Sequence, residues 1–302
     1  MIQRIDIDYL FDCKDGNPNG DPDAGNAPRL DPQDMCGIVT DVCLKRKVRD
    51  YVMLAKPGSD THRIYVQHHG VLELNHKEAY NALGITAVED ASAEGEATET
   101  KGPKGKAKRQ APSDVQAARK WICSKFYDVR AFGAVMSTKL FNAGQVRGPV
   151  QFGFSRSIDP ILPLDICITR VAVANEKEKQ SKDTTMGRKN IIPYGLYRCH
   201  IYVSAHLAEQ TGFTQEDLDL LLEALKNMFE HDRSSSRGGM AAQKLTVFKH
   251  TSPLGNAPAH KLFERVKVQR KPGVIAARSI EDYNFTIDKE NLPQGVEIVE
   301  LL

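Results

Sequence analysis

The chain has 302 residues, of which 26% are charged, yet its formal net charge is only +2. Such a length holds one large domain with insertions or two domains. No apolar run is long enough to span a membrane, the N-terminus has no secretion-signal pattern, and the six cysteines form no Cys-x-x-Cys pair. We therefore expect a cytoplasmic protein with reduced thiols and no membrane partner.

Acidic and basic residues are unevenly distributed along the chain. Residues 1–34 contain eight acids against three bases, which leaves a net charge of +7 on the remainder. The near-neutral total therefore conceals basic surface.

The first predicted element is a strand over residues 2–11, where side chains alternate with a period of two. Apolar residues from Ile5 to Phe11 share one side and charged residues share the other, as in a strand buried on one face. Residues 15–26 (DGNPNGDPDAGN) follow as a shaped loop, because Gly and Asn accept positive φ and Pro has no N–H to donate. Long loops of this kind are usually functional or disordered.

The same loop resembles an EF-hand calcium site. The residues that fall where such a site places its ligands and turn glycine are Asp15, Asn17, Asn19, Gly20, Asp21 and Asp23. However, Asn26 stands where a bidentate Glu is needed, and a strand precedes the loop where a helix should. We therefore predict a structural or ligand-facing loop without a metal. A nuclease site in which Asp21 or Asp23 holds a metal is the alternative.

A helix is predicted from Thr40, a good N-cap, to residues 56–58 (KPG), which end it. Lys45, Arg46 and Arg49 form an arc beside its apolar face, and we take them to lack acidic partners four residues away. The arc is either a solvated face or a surface that contacts phosphates.

The next hundred residues mix weak and strong signals. Residues 63–74 form a strand pair or an irregular segment, and residues 87–113 are low in complexity and lack apolar residues for a core, so we predict a disordered insertion. Residues 119–156 are the most basic ordered stretch, with seven bases and one acid. The phenylalanines and glycines in it suit a nucleic-acid backbone, or else they are core residues and turns.

Two predicted strands border the polar segment 175–193, which therefore forms a protruding hairpin. The segment contains Met186, Arg188 and Lys189. An exposed apolar side chain on a polar arm has little core to join, so we predict that Met186 wedges between bases while the two cations hold phosphates. The alternative is that Met186 packs on its own domain or on a neighbouring copy.

The second half also contains an amphipathic helix, which Thr214 and Asp217 open as a capping box. Residues 233–239 form a flexible basic turn that faces phosphates or solvent. The strands predicted in this half are 161–173, 196–207, 245–248 and 261–271. The chain order is the βαββαβ arrangement of ferredoxin-like and RRM domains, an α+β fold. The third strand lacks the RNP1 pattern, so we do not expect bases to stack on an open sheet.

Several motifs together resemble one family. They are NPNGDP at 17–22, TDVCLKRK at 40–47, NAGQVRGP at 142–149, GRK at 187–189 with PYG at 193–195, and FEHDRS at 229–234. With them the chain is similar, over nearly its whole length, to the backbone subunit of the type I-C CRISPR Cascade complex, in the RAMP superfamily. The insertion at 87–113 departs from that pattern.

The resemblance implies a hand-like protein. An RRM-like palm over 1–55 and 150–302 carries a thumb hairpin at 174–193, and residues 56–150 form inserted fingers. Copies stack head to tail as a helical oligomer along one CRISPR RNA and present it for pairing with target DNA in antiviral defence. Further implied partners are the guide-processing or handle-binding subunit, the large and small Cascade subunits, and a helicase-nuclease that the complex recruits.

The resemblance also implies a scaffold without catalysis or cofactor. The alternatives are a metal-dependent endoribonuclease that uses Asp21 or Asp23, as in related subunits of type III complexes, and a general single-strand binder without a guide. The expected RNA contacts are Asn17, Asn19, Lys45, Arg46, Arg49, Arg147, Arg156, Met186, Arg188, Lys189, Arg233 and Arg237.

Overall fold

The computed structural model describes residues 2–88, 110–179 and 184–302. Its helices are α1 (Asp41–Ala55), α2 (Leu72–Leu83), α3 (Pro112–Lys125), α4 (Tyr127–Phe132), α5 (Glu176–Lys179), α6 (Ala205–Thr211), α7 (Gln215–His231) and α8 (Ala259–Phe263). Its strands are β1 (Ile5–Gly16), β2 (Gly20–Asp21), β3 (Ala27–Pro28), β4 (Cys36–Val39), β5 (Gly133–Met136), β6 (Gly144–Arg147), β7 (Val150–Phe152), β8 (Ser155–Pro160), β9 (Leu164–Arg170), β10 (Thr185–Val203), β11 (Met240–His250), β12 (Val266–Arg270), β13 (Tyr283–Ile287) and β14 (Val296–Glu300). Within these ranges no helix is both long enough and apolar enough to cross a membrane.

One antiparallel sheet organises the chain. Its strand order is β14-β11-β1-β10-β8-β4, and β7 and β9 also pair with β10. β1 pairs with β10 from Ile5 opposite Val203 to Gly16 opposite Ile192, and β11 pairs with its other edge. The expected combination of helices with a central antiparallel sheet is confirmed, and β1 lies at the centre of that sheet.

The first face of β1 carries the main core. Tyr9 donates a hydrogen bond to the Leu225 carbonyl of α7 at 2.6 Å. Phe11 stacks on Tyr197, with ring centroids 5.5 Å apart, and contacts Phe229 of α7. The period-two pattern of β1 therefore predicts this face correctly.

The second face of β1 is buried as well, which the sequence did not predict. Asp8 receives a 2.7 Å hydrogen bond from Arg198, which also donates to the Phe263 carbonyl of α8. Leu10 packs with Tyr283 of β13. The second face of β1 is thus covered by the C-terminal segment, and Arg198 neutralises the charge of Asp8. Because that segment occupies the sheet, bases have no open surface on which to stack.

Several predicted boundaries were wrong for identifiable reasons. β10 runs unbroken from Thr185, whereas the sequence predicted a polar excursion as far as residue 193. The prediction failed because the first part of the strand lies outside the core and carries no apolar pattern. Residues 205–207 belong to α6, capped by Ser204, and not to the strand. α2 replaces part of the predicted strand pair at 63–74, and α8 replaces the start of the strand at 261–271. The segment 87–113 lies mostly outside the described residues, but its end already begins α3.

A buried ion pair joins α4 to the start of α7. The predicted capping box is confirmed, since Thr214 and Asp217 exchange hydrogen bonds at the start of α7. Asp217 also accepts 2.9 Å and 2.6 Å hydrogen bonds from Arg130 of α4. Both side chains are almost fully buried, so the carboxylate caps one helix and neutralises the cation of another.

Gly148 shows why glycines interrupt the basic stretch. A Cβ at this position would lie 2.3 Å from the Phe132 carbonyl carbon and 2.4 Å from the Ala131 oxygen. We expect Gly148→Ala to lower the free energy of unfolding by at least about 2 kcal/mol, because backbone cannot yield to the added methyl group. The measurement is urea unfolding. Gly153→Ala is the control, since its Cβ would stay 3.4 Å from the nearest atom, and equal midpoints for both variants would contradict this role for Gly148.

Candidate nucleic-acid interface

Three segments meet at the N-terminal end of α1 and enclose a groove of about 550 Å³. They are the loop after β1, the first turns of α1, and the turn at 233–239 that follows α7. We name this feature the α1 groove. Its lining residues are Asn17, Pro18, Asn19, Gly20, Asn26, Thr40, Val42, Cys43, Arg46, Lys47, Arg49, Val66, Ser236 and Arg237.

Asn17 fixes the shape of the loop after β1 through two hydrogen bonds, and these do not use its side-chain oxygen. Its side-chain amide donates to the Asn26 carbonyl at 2.8 Å, and its backbone N–H donates to the Ser236 carbonyl at 2.6 Å. Gly20 lets the Asn26 side chain pack closely, because a Cβ there would lie 1.9 Å from Asn26 Oδ1 and would displace it. Asn17 Oδ1 is buried and has no hydrogen-bond partner in the described part of the chain. A ligand donor in the groove would satisfy it.

Asn19 positions the start of α1. Its Oδ1 accepts hydrogen bonds from the Thr40 backbone N–H at 2.9 Å and from the Thr40 hydroxyl at 3.0 Å. Thr40 in turn caps α1 by accepting from the Cys43 N–H at 3.4 Å. The first turn of a helix presents unpaired N–H groups and a partial positive charge, so this arrangement favours anions in the groove.

The carboxylate of Asp21 makes local contacts within the loop. Asp21 accepts a 3.1 Å hydrogen bond from the Asp23 backbone N–H and lies 3.5 Å from Arg29. Among the described residues, no group of three or more His, Cys, Asp or Glu side chains is arranged to hold a metal ion.

A cluster of three bases around one carboxylate forms the floor and rim of the groove. Asp232 contacts Arg46 at 3.1 Å, Arg237 at 2.9 Å, and the ammonium of Lys47. Burial raises the pKa of Asp232, but the hydrogen bond from Lys47 and the three positive charges outweigh it and hold that pKa below its usual value. Arg46 also lies 3.1 Å from Asp50. Sequence reasoning missed Lys47 and Asp232 as a pair because 185 residues separate them.

Lys45 and Arg49, expected on the same arc, are mostly buried and paired with carboxylates. Lys45 pairs with Asp41 at 2.8 Å, and its ammonium lies 5.9 Å from the centre of the Phe132 ring. Arg49 donates to the buried Asp128 at 2.7 Å. The assumption that these bases lack acidic partners four residues away was therefore wrong for Lys45 and for Arg46. Only Arg46 of the three is half-exposed at the groove.

Three other predicted contacts lie outside the α1 groove. Arg233 pairs with Glu230 and donates to the Gly238 carbonyl at 2.8 Å, behind the turn. Arg156 pairs with Asp31 near the β4 edge of the sheet. Arg147 lies on β6, in a separate cleft.

β9 and β10 form a hairpin arm whose paired strands extend from Leu164 to Ile191. The arm starts before the predicted bounds of 174–193, and residues 180–183 lie outside the described chain. Met186 is 75% exposed. Arg188, on the same face, pairs with Asp165 at 2.6 Å. Lys189, on the opposite face, donates to the Ser235 carbonyl and so joins the arm to the turn beside the α1 groove.

Comparison with known proteins identifies the family. The family described as CRISPR-associated protein Cas7 matches residues 3–288. A CRISPR-associated protein Cas7 of Haloferax volcanii is 31% identical over 236 residues, which cover 75% of this chain and 65% of that protein. The chain thus matches somewhat less than two thirds of the length of this curated relative.

Comparison with solved structures gives matches of low structural similarity. A chain of a CRISPR RNA-guided surveillance complex, pre-nicking, has a TM-score of 0.49 and 15% identity, and the match covers 82% of this chain and 78% of that one. A chain of the Type III-B Cmr-beta bound to cognate target RNA has a TM-score of 0.41 and 12% identity, over 82% of this chain and 61% of that one. Since the family match extends over nearly the whole sequence, this chain belongs to the family of CRISPR-associated protein Cas7.

Proposed function

We propose that this chain is the non-catalytic backbone subunit of a CRISPR surveillance complex of type I-C in the cytoplasm. It binds the guide RNA, oligomerises head to tail along it, and presents it for pairing with target DNA. Its further partners are the guide-processing or handle-binding subunit, the large and small subunits, and a recruited helicase-nuclease. Membership of the Cas7 family supports the proposal. The observation that carries it is the α1 groove, where a helix N-terminus, the unpaired Asn17 oxygen and a cluster of bases meet.

The RRM-like palm of this proposal comprises β1, α1, the strand pair β8 and β10, α7 and β11. Its support is the pairing order β11-β1-β10-β8, in which the fourth, first, third and second strands of a βαββαβ unit are neighbours. Residues 1–55 and 150–302 contribute this palm, and 56–150 contribute the fingers. The second hydrophobic cluster, which includes Tyr80, Ile122 and Phe126, supports a fingers unit with its own core.

The guide backbone runs through the α1 groove in this proposal. Arg46 and Arg237 share one carboxylate with a third base, so the cluster has more positive than negative charge to offer a phosphate. Asn19 shapes the site through Thr40 and does not itself need to touch RNA. In the neighbouring arm, Met186 wedges between bases, and Arg188 and Lys189 contact the phosphates beside it. The exposure of Met186 and the bond from Lys189 to the turn at Ser235 support this role.

Native mass spectrometry of the chain with RNAs of increasing length tests the proposal. We expect the number of bound copies to rise in regular steps with RNA length, because each copy covers a fixed number of nucleotides. A variant in which residues 176–189, which include Met186, Arg188 and Lys189, are shortened to a tight turn should stay folded and bind RNA without forming long assemblies. One copy per RNA at every length would contradict the scaffold, and RNA cleavage in Mg²⁺ would favour the endoribonuclease.

A further inference from the structure

A second basic cleft lies between α3, β6 and the end of α6. It has a volume of about 430 Å³, within the range of pockets that hold small ligands or parts of larger ones. α3 contributes Arg119 and Lys120, β6 contributes Gln145 and Arg147, and the last turn of α6 contributes Glu209. Besides the buried Arg130, three bases therefore surround one concave surface whose lining contains a single acid.

The three bases of this cleft differ from the other cations described above. The structure describes no hydrogen bond or ion pair for the side chains of Arg119, Lys120 or Arg147, and Arg119 Nε is a buried donor without a partner. On β6, Arg147 lies opposite Gly133, which offers no side chain to pair with it. Positive charges that lie close together without counter-charges produce a positive potential, and a concave surface of low dielectric strengthens that potential.

The cleft also contains groups that complement a phosphodiester. Two guanidinium groups present forked N–H donors, which match pairs of phosphate oxygens, and Lys120 adds a point charge. Arg130 at the back of the cleft is already neutralised by Asp217, so it does not compete for the ligand. Gln145 and Ser124 add neutral hydrogen-bonding groups. This set suits a strand backbone better than a carboxylate-bearing partner, which needs fewer donors.

The position of the cleft separates it from the α1 groove. The cleft lies at Thr211 and Gly212, just before the N-terminus of α7, whereas Ser236 and Arg237 of the α1 groove follow its C-terminus. α7 has 17 residues, and a rise of 1.5 Å per residue makes it about 25 Å long. The two basic sites therefore lie at opposite ends of one helix.

We infer that Arg119, Lys120 and Arg147 form a second nucleic-acid site, which binds the phosphodiester backbone of a single strand. The strand is either another part of the RNA held by the α1 groove or a second strand. This site goes beyond the guide contacts proposed above, and it does not require that the α1 groove be occupied.

Lysine footprinting by mass spectrometry tests the site, with Lys120 as its reporter. The probes are a single-stranded RNA alone, and a noncomplementary DNA strand added to chain already saturated with RNA. We expect several-fold slower acylation of Lys120, with no change at the exposed Lys267 of β12. Protection by RNA alone assigns the site to the same strand, and protection only after the DNA is added assigns it to a second strand.

A double variant, Arg119→Gln with Arg147→Gln, completes the test. It should lose the protection of Lys120 and lower the slope of log affinity against log salt by about 1.4 for the strand that binds there. An unchanged melting temperature shows that the variant is folded. The inference is overturned if neither probe protects Lys120 in the unsubstituted chain, or if only a polyglutamate peptide protects it. Failure of guide binding in the α1 groove would appear instead in Arg46 and Arg237 variants and would leave Lys120 protection intact.

Discussion

Asp232→Ala is expected to lower the free energy of unfolding by about 3–5 kcal/mol, since it leaves a buried ammonium group without a counter-charge. The side chain of Lys47 is only 2% exposed and points at Asp232. Burial also keeps solvent from replacing the lost carboxylate. Chemical unfolding at neutral pH measures the effect, and the double variant Lys47→Met with Asp232→Ala should recover most of the loss because no charge stays buried.

The pH dependence of this effect follows from the lowered pKa of Asp232. The folded chain favours the ionised carboxylate, so its contribution is complete above the ordinary pKa near 3.8 and is lost as the pH falls through the lower pKa of the folded state. The stability difference between the unsubstituted chain and Asp232→Ala should therefore be constant near neutral pH and shrink in acid. A difference below 1 kcal/mol at neutral pH, or one that grows in acid, would contradict a structural ion pair here.

Arg46→Ala combined with Arg237→Ala is expected to weaken RNA binding about 100-fold, if each lost charged hydrogen bond is worth about 1.5 kcal/mol. The slope of log affinity against log salt should decrease by about 1.4, as for two phosphate contacts to a single strand. All RNA sequences should be affected alike, because phosphate contacts carry no sequence information. Fluorescence anisotropy over a range of salt concentrations measures both quantities.

The matched control removes two exposed cations at and just after β12, which do not line the α1 groove, Lys267→Ala with Lys271→Ala. It changes the net charge equally and should leave affinity and salt slope unaltered. Asp232 keeps Lys47 in the groove variant, so the fold should persist. Equal losses in both variants would mean that RNA responds only to total charge, and then the α1 groove would have no special role.

Local signals made α1 and α7 predictable from sequence. Thr40 caps α1 and Thr214 with Asp217 opens α7, and in each case the residues that decide the helix start lie within three positions of one another. The inward face of β1 was predictable for the same reason, since an alternating pattern needs only a few neighbouring residues.

The other features of the fold and the site depend on contacts between residues that are far apart in sequence, and no local pattern predicts such contacts. The burial of the second face of β1 depends on α8 and β13, more than 240 residues later. The inward position of Arg49 depends on Asp128, 79 residues away. Arg147 was expected to contact RNA together with the bases of α1, yet the packing of α3, β6 and α6 places it in a separate cleft. Motif resemblance indicated the family, whereas the grouping of the bases into two sites required the structure.

The unbroken path of β10 gives the arm a fixed reach. The same strand pairs with β9 up to Ile191 and with β1 from Ile192 onward, so no loop intervenes between core and arm. At about 3.3 Å per residue, the seven residues before Ile192 set a spacer of roughly 23 Å. In an RNA-bound assembly this strand would act as a ruler for the interval between neighbouring copies. Two residues added to each strand would lengthen the ruler by about 7 Å and keep Met186 on its face, whereas one added residue would turn Met186 to the other side.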